Sequence, residues 1–286
     1  MLYLHGGPGF PEIAFMKKYS QFLEKNFIMV YWEQKGAGKS YFKDTSNKNL
    51  NLESLISDTQ QLSKVLAKRF KKKKIYLMGH SWGSFLGILT AKKYPELFYA
   101  YLGIGQVCNQ YLAEKISFEW VKEEALKRND KKAIKKLNLL NFPTKNANEN
   151  EWLNYIIAQR DYVTKYGGAI YKFNGIYPEI KNFINAPEYT LNEKINFISA
   201  SIYSFKSLWH YQIDMNLSRH IKTIDIPVYI FQGLHDYQTP HTVAKEFFNQ
   251  LKAPKKEFFT FENSAHSPHL EETIKFNAII KEKIIE

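Results

Sequence analysis

Short apolar runs alternate along the chain with longer segments whose apolar residues recur at helical spacing. Leu2 to Leu4, Phe27 to Trp32, Lys74 to Met78, Tyr101 to Ile104, Val228 to Gln232 and Glu257 to Phe261 read as strands. Leu52 to Phe70 places apolar residues at 52, 55, 56, 62, 65, 66 and 70, one face of an amphipathic helix. Ser84 to Tyr94 and Val243 to Leu251 follow the same period. Strands separated by helices predict an α/β fold with a mostly parallel sheet. Between Cys108 and Arg219 the alternation stops. That segment is helical in pattern, is punctuated by Pro143, Gly167-Gly168, Pro178 and Pro187, and is dense in Trp, Tyr and Phe. The expected organisation is a core built from residues 1–107 and 220–286, interrupted by a helical insertion at 108–219.

Composition narrows the class. With 286 residues, 44% hydrophobic and 24% charged, the chain can bury one large core and falls outside the low-complexity and disordered classes. No uninterrupted apolar run approaches the ~20 residues of a bilayer helix. A single cysteine, Cys108, allows no intramolecular disulfide, and the first residues lack the pattern of a signal peptide. A reducing, cytoplasmic setting is expected. The net charge of +12 raises the question of an anionic partner. The lysines are spread along the chain, however, and the one tight run, Lys71 to Lys74, falls between a helix and a strand, where it reads as a solvated loop. Neither a nucleic acid nor a membrane is expected as partner.

The chemistry concentrates at Gly79-His80-Ser81-Trp82-Gly83, directly after one strand and directly before a helix. This is a G-x-S-x-G elbow in the context it requires, a sharp strand-to-helix turn that exposes a serine nucleophile. Such a serine needs a base, and the base needs an acid to orient it, supplied in the chain order Ser, Asp, His. Asp236 follows the strand Val228 to Gln232, and His266 follows Glu257 to Phe261. His269 is the competing base. A metal site made of His266, His269 and Glu271 lacks a supporting ligand cluster, and no metal or other cofactor is expected. Acyl transfer also needs donors for an oxyanion: the backbone N–H of Trp82, after the nucleophile, and that of Gly7 in the turn His5-Gly6-Gly7-Pro8-Gly9. Gly36-Ala37-Gly38-Lys39-Ser40 imitates the tail of a phosphate-binding loop, but Glu33 stands where that loop needs its first glycine. The stretch reads instead as a loop bordering the cleft.

The HGGPG run at 5 to 9, the loop Glu33 to Ser40 where relatives read D-Q-R-G-x-G-x-S, the elbow with Trp82 and Ser84, and the turns holding Asp236 and His266 together resemble the proline iminopeptidase group of the α/β-hydrolases. The resemblance implies an α/β-hydrolase fold with a helical cap, a Ser81, Asp236, His266 triad and an oxyanion hole at Gly7 and Trp82. It also implies cap acids that hold the free amino terminus of a substrate, for which Glu149, Glu151, Glu179, Glu188 and Glu193 are equal candidates. Members of that fold carry two antiparallel strands before the HGGPG loop, whereas only Met1 to Leu4 precede it here. The first two strands are thus expected to be missing, leaving a six-stranded core with an exposed edge through which a second copy could pair. His80 stands where the iminopeptidases have glycine, and histidine there is common among esterases. The expected function is a cofactor-free serine hydrolase acting through an acyl-enzyme. Its expected substrates are short peptides or small amides, from which it releases N-terminal residues of the proline type. The alternatives are a carboxylic ester hydrolase and a non-catalytic hydrolase-like module that binds a small ligand.

Overall fold

The computed structural model describes residues 1–42, 50–172 and 183–286. Among these, six strands form one sheet: β1 (Leu2–Leu4), β2 (Val30–Trp32), β3 (Ile75–His80), β4 (Phe98–Ile104), β5 (Val228–Gly233) and β6 (Lys256–Phe261), in the order β2-β1-β3-β4-β5-β6. Every neighbouring pair is parallel, so the sheet is wholly rather than mostly parallel, with β2 and β6 at its edges. Register aligns the carboxyl ends of the strands. Leu4 lies opposite Gly79, Gly79 opposite Gly103, and Gly103 opposite Ile230. The loops that leave β1, β3, β4, β5 and β6 therefore emerge along one rim, where open α/β sheets place their ligands.

Both faces of the sheet are covered, so its strands are apolar almost throughout. Leu2, Leu4, Leu77 and Ile230 pack toward α3 (Leu52–Arg69), α4 (Trp82–Lys93) and α9 (His241–Gln250) through Leu55, Phe85 and Phe247. Tyr3, Met78 and Phe231 point the other way, joining Met16 of α1 (Ile13–Tyr19), Leu23 of α2 (Gln21–Asn26) and Phe276 and Ile280 of α10 (Thr273–Ile280). Adjacent residues of a strand thus enter opposite cores, as the pleat requires.

The sequence-predicted elements are present, with displaced ends. The strand expected over Phe27 to Trp32 is confined to Val30–Trp32, because the Phe27 N–H closes α2 on the Leu23 carbonyl at 2.7 Å. The helix expected from Ser84 starts at Trp82, since the Ser84 N–H already donates to the Ser81 carbonyl at 2.8 Å.

Between β4 and β5 run α5 (Gln110–Lys127), α6 (Lys131–Leu139), α7 (Glu149–Lys165) and α8 (Leu191–Asp214). They bury their own cluster around Phe118, Trp152, Tyr155 and Trp209. This segment leaves and rejoins the core at one place: the Leu217 N–H donates to the Cys108 carbonyl at 2.7 Å, and Asn109 bridges Asn216. It is also fastened over the rim. Ser201 and Ser204 of α8 donate to the carbonyls of Gly9 and Gly36 at 2.9 and 2.8 Å, and Trp120 stacks on Tyr237 at 3.8 Å. No helix among the described residues is long and apolar enough to cross a membrane.

Candidate active site

Ser81 sits between the last residue of β3 and the first of α4, with φ 52° and ψ −120°. A non-glycine residue at positive φ is strained, and such strain recurs where a side chain must be presented at a sharp turn. The flanking glycines make the turn sterically feasible. A Cβ on Gly79 would lie 2.1 Å from the Gly83 carbonyl oxygen, and one on Gly83 would lie 2.0 Å from that of Leu4. Strand and helix are packed backbone to backbone here, and the serine is pushed out over the rim.

His266 and Asp236 meet there. His266 Nδ1 donates to Asp236 Oδ2 at 2.8 Å, with the Asp236 side chain wholly buried and that of His266 nearly so. The carboxylate is held from its other sides by the N–H groups of Gln238 and Thr239 at 2.8 and 2.9 Å, the Thr239 hydroxyl at 2.7 Å and the Gln232 amide at 2.8 Å. Burial raises the Asp236 carboxyl, but His266 and the Thr239 hydrogen bonds outweigh it, so its pKa lies below the usual range.

The peptide around His266 is gripped as firmly. Glu271 accepts from the N–H groups of Ala265 and Ser267, each at 3.1 Å, and from that of Tyr171 at 2.7 Å. Burial pushes Glu271 up to about 7 against those donors. The His266 N–H donates to the Ala169 carbonyl at 3.1 Å, tying the same loop to the helical segment.

Ser81, His266 and Gly7 line one cavity of about 680 Å³ at the rim. Trp82 lies beneath it, fully buried, and its indole donates to Gln34 at 2.8 Å. Gln34 in turn donates from its side chain to the His5 carbonyl and from its backbone to His5 Nε2, both at 3.1 Å. This explains the HGGPG and Glu33–Ser40 stretches as one locked pair of loops rather than as separate motifs. The phosphate-loop imitation is accounted for as well: the Lys39 N–H donates to the Glu33 carboxylate at 2.6 Å, so a protein anion already holds that donor. Among the described residues no group of His, Cys, Asp and Glu is arranged to hold a metal ion.

The sequence-expected sites divide. His266 pairs with Asp236, and Ser81 lines the same cavity as His266. His269 lines the same cavity but does not pair with Asp236; burial, with His80 and His266 beside it, drives its pKa well below the ordinary value. None of the described acids expected to hold an amine lines the cavity. Glu149 and Glu151 are exposed at the start of α7, Glu188 is paired with Lys17, and Glu193 caps its own helix with Thr190. Glu179 lies outside the described residues. Among the described residues the carboxylate that lines the cavity is Glu12, which the motif reading passed over because it has no fixed spacing from the elbow.

A parallel sheet with a G-x-S-x-G elbow at its rim and an Asp–His pair on the next loops defines a class, and the comparison with known proteins agrees: the sequence signature of the α/β hydrolase fold matches residues 1–273, so the chain belongs to that family. It is 32% identical over 279 residues to a probable aminopeptidase, YbaC, of Bacillus subtilis, covering 96% of this chain and 86% of that protein. It is 25% identical over 292 residues to the proline iminopeptidase of Heyndrickxia coagulans, covering 98% and 88%. Its fold matches the crystal structure of VinJ with a TM-score of 0.67 at 19% identity, over 98% of this chain and 88% of that one. The protein is therefore an enzyme of the hydrolase class.

Proposed function

We propose that the protein is a serine hydrolase that cleaves short peptides or small amides at their N-terminal residue through an acyl-enzyme on Ser81. The observation that carries the reading is the buried His266–Asp236 hydrogen bond of 2.8 Å beside the cavity that Ser81 enters at positive φ. The names of the relatives support an amide substrate.

In this reading the Ser81 hydroxyl attacks the scissile carbonyl while His266 Nε2 takes its proton. Asp236 holds the imidazole through Nδ1 and stabilises its positive charge. The backbone N–H groups of Gly7 and Trp82 receive the oxyanion. Collapse breaks the carbon–nitrogen bond, and His266 returns the proton to the departing amine. Water then attacks the ester on Ser81, giving its proton to His266, and the acid product leaves with Ser81 restored. Residues 108–219 act as the cap that closes over the acyl group.

A second reading, a carboxylic ester hydrolase, is favoured by one feature: the cavity lining is rich in apolar side chains, Phe10, Phe15, Phe183 and Phe197 among them, beside Lys194. Such a wall suits an acyl chain as well as an amino-acid side chain. The two readings separate on a panel of aminoacyl-arylamides and short-chain aryl esters. Arylamide turnover that stops when the amine is blocked supports the first. Ester turnover without arylamide turnover overturns it.

A further inference from the structure

His80, next to the elbow serine, has no place in that chemistry, yet both its ring nitrogens are engaged. Nδ1 lies 2.7 Å from Glu12 Oε1, and Nε2 lies 3.1 Å from the carbonyl oxygen of His266. A carboxylate and a carbonyl are both acceptors, so these two shorter contacts each call for a proton on the ring nitrogen, while the Ser267 hydroxyl, which can accept as well as donate, lies farther from Nε2 at 3.4 Å. The arrangement is that of an imidazolium paired with a carboxylate, the two side chains 7% and 10% exposed. Tyr3 donates to the other Glu12 oxygen at 2.6 Å and completes the carboxylate from β1.

From this geometry we infer that the Glu12–His80 ion pair is a positioning device that sets the His266 loop against Ser81. The inference rests on the reading of His266 as the base acting on Ser81. The pair connects three segments that the chain delivers separately: the loop after β1 through Glu12, the elbow through His80, and the loop after β6 through the His266 carbonyl. Glu271 holds the same loop by its N–H groups on the far side. His80 thus supplies the grip on the His266 carbonyl, an acceptor that Glu271, itself an acceptor, cannot hold. Charged hydrogen bonds are the stronger kind, and buried ionic groups fix register where several segments could slide.

The charges around His80 agree with this assignment. Burial opposes its positive charge, but Glu12 outweighs burial and raises its pKa. Glu12 is lowered correspondingly, burial again being overcome by His80. The other titratable groups facing the pair are His5 and Tyr3 from the loop and strand at the amino end, Asp236 from the loop after β5, and His266 and His269 after β6. His5 is pushed down by burial, and His269 further still, so neither competes with His80 for the proton. The His80 and His266 rings are 4.9 Å apart, close enough for the charge of one to oppose a charge on the other.

The test reads the reactivity of Ser81 without reference to any substrate. An alkyl fluorophosphonate phosphonylates the serine: the Ser81 oxygen bonds to phosphorus, fluoride leaves, and the serine proton passes to His266. The second-order labelling rate is measured across pH for the wild type and for His80→Asn and Glu12→Gln, with circular dichroism and thermal melting to confirm folding. His80→Asn removes the imidazolium and Glu12→Gln removes the carboxylate that keeps it charged, so both are expected to label at least about tenfold more slowly, as a displaced base should. Both should also move the acid-side midpoint of the rate, because the charge set 4.9 Å from the His266 ring has changed. The move should be larger in His80→Asn, where Glu12 keeps its negative charge without its partner. A residue that merely supports the fold would lower the melting temperature and leave rate and midpoint unchanged. Folded His80→Asn protein that labels at the wild-type rate with an unmoved midpoint overturns the inference, and Glu12→Gln decides by the same criterion if His80→Asn does not fold. A wild type that does not label at all overturns the reading of Ser81 instead.

Discussion

The two walls of the cavity are built on opposite principles. The wall made by the strand-end loops is polar and over-determined: Asp236 has four kinds of donor around it, and the peptide of His266 is held at its N–H, at its carbonyl and at both neighbouring residues. The wall contributed by the helical segment between β4 and β5 is mostly apolar: Phe183 lies 4.1 Å from Phe197, which meets Phe10 of the loop after β1 at 5.0 Å, and Lys194 is its charged side chain among the described residues. Fixed dipoles stabilise developing charge only where they cannot relax, whereas an apolar wall ranks ligands by size and shape. Under the proposed function, reaction belongs to the first wall and choice of substrate to the second.

Breaking the polar wall should have the largest effect. Asp236→Asn removes the acceptor that fixes His266, and kcat is expected to fall by about 10⁴ with KM little changed. Steady-state kinetics on any turned-over substrate checks this; a loss under tenfold would contradict the role given to Asp236. Gly83→Ala strikes the join between elbow and sheet, since its Cβ would sit 2.0 Å from the Leu4 carbonyl oxygen. Overpacking of this kind costs about 1–3 kcal/mol or more, read as a lower melting temperature and a lower fraction of labelled sites.

The apolar wall should respond differently. Phe197→Ala is expected to raise KM about tenfold for substrates with bulky apolar groups, to spare those with alanine, and to leave the Ser81 labelling rate unchanged. Equal effects on both substrates would erase the distinction between the walls. The smallest effect concerns acid stability. Asp236 and Glu12 both have lowered pKa values when folded, so their contribution is complete above the ordinary carboxylate range and is lost as pH falls through their folded values. Melting temperature against pH should therefore drop below about pH 4, and Asp236→Asn should flatten that drop.

Legibility in the sequence followed the same division. The sheet, the elbow and the pairing of Asp236 with His266 beside the cavity of Ser81 could be read because periodicity and motif spacing encode them locally. Helix and strand ends were displaced where a backbone donor had a better partner, as at Phe27 and Ser84. The amine-holding acids expected at Glu149, Glu151, Glu188 and Glu193 were sought in the helical segment, where exposure, pairing and capping occupy them. Glu12 and His80 were missed as a pair because they are 68 residues apart and only tertiary packing brings them together. The signal that could have found them was the histidine directly before the elbow serine, since a buried ionisable group needs a partner.

The acyl-enzyme on Ser81 is tested most directly by intact-mass and peptide mapping after fluorophosphonate treatment, alongside residual turnover. The expected result is one adduct, on Ser81, with activity lost in proportion to labelling and no adduct in Ser81→Ala. Turnover that survives complete treatment, or an adduct that persists in Ser81→Ala, would contradict it.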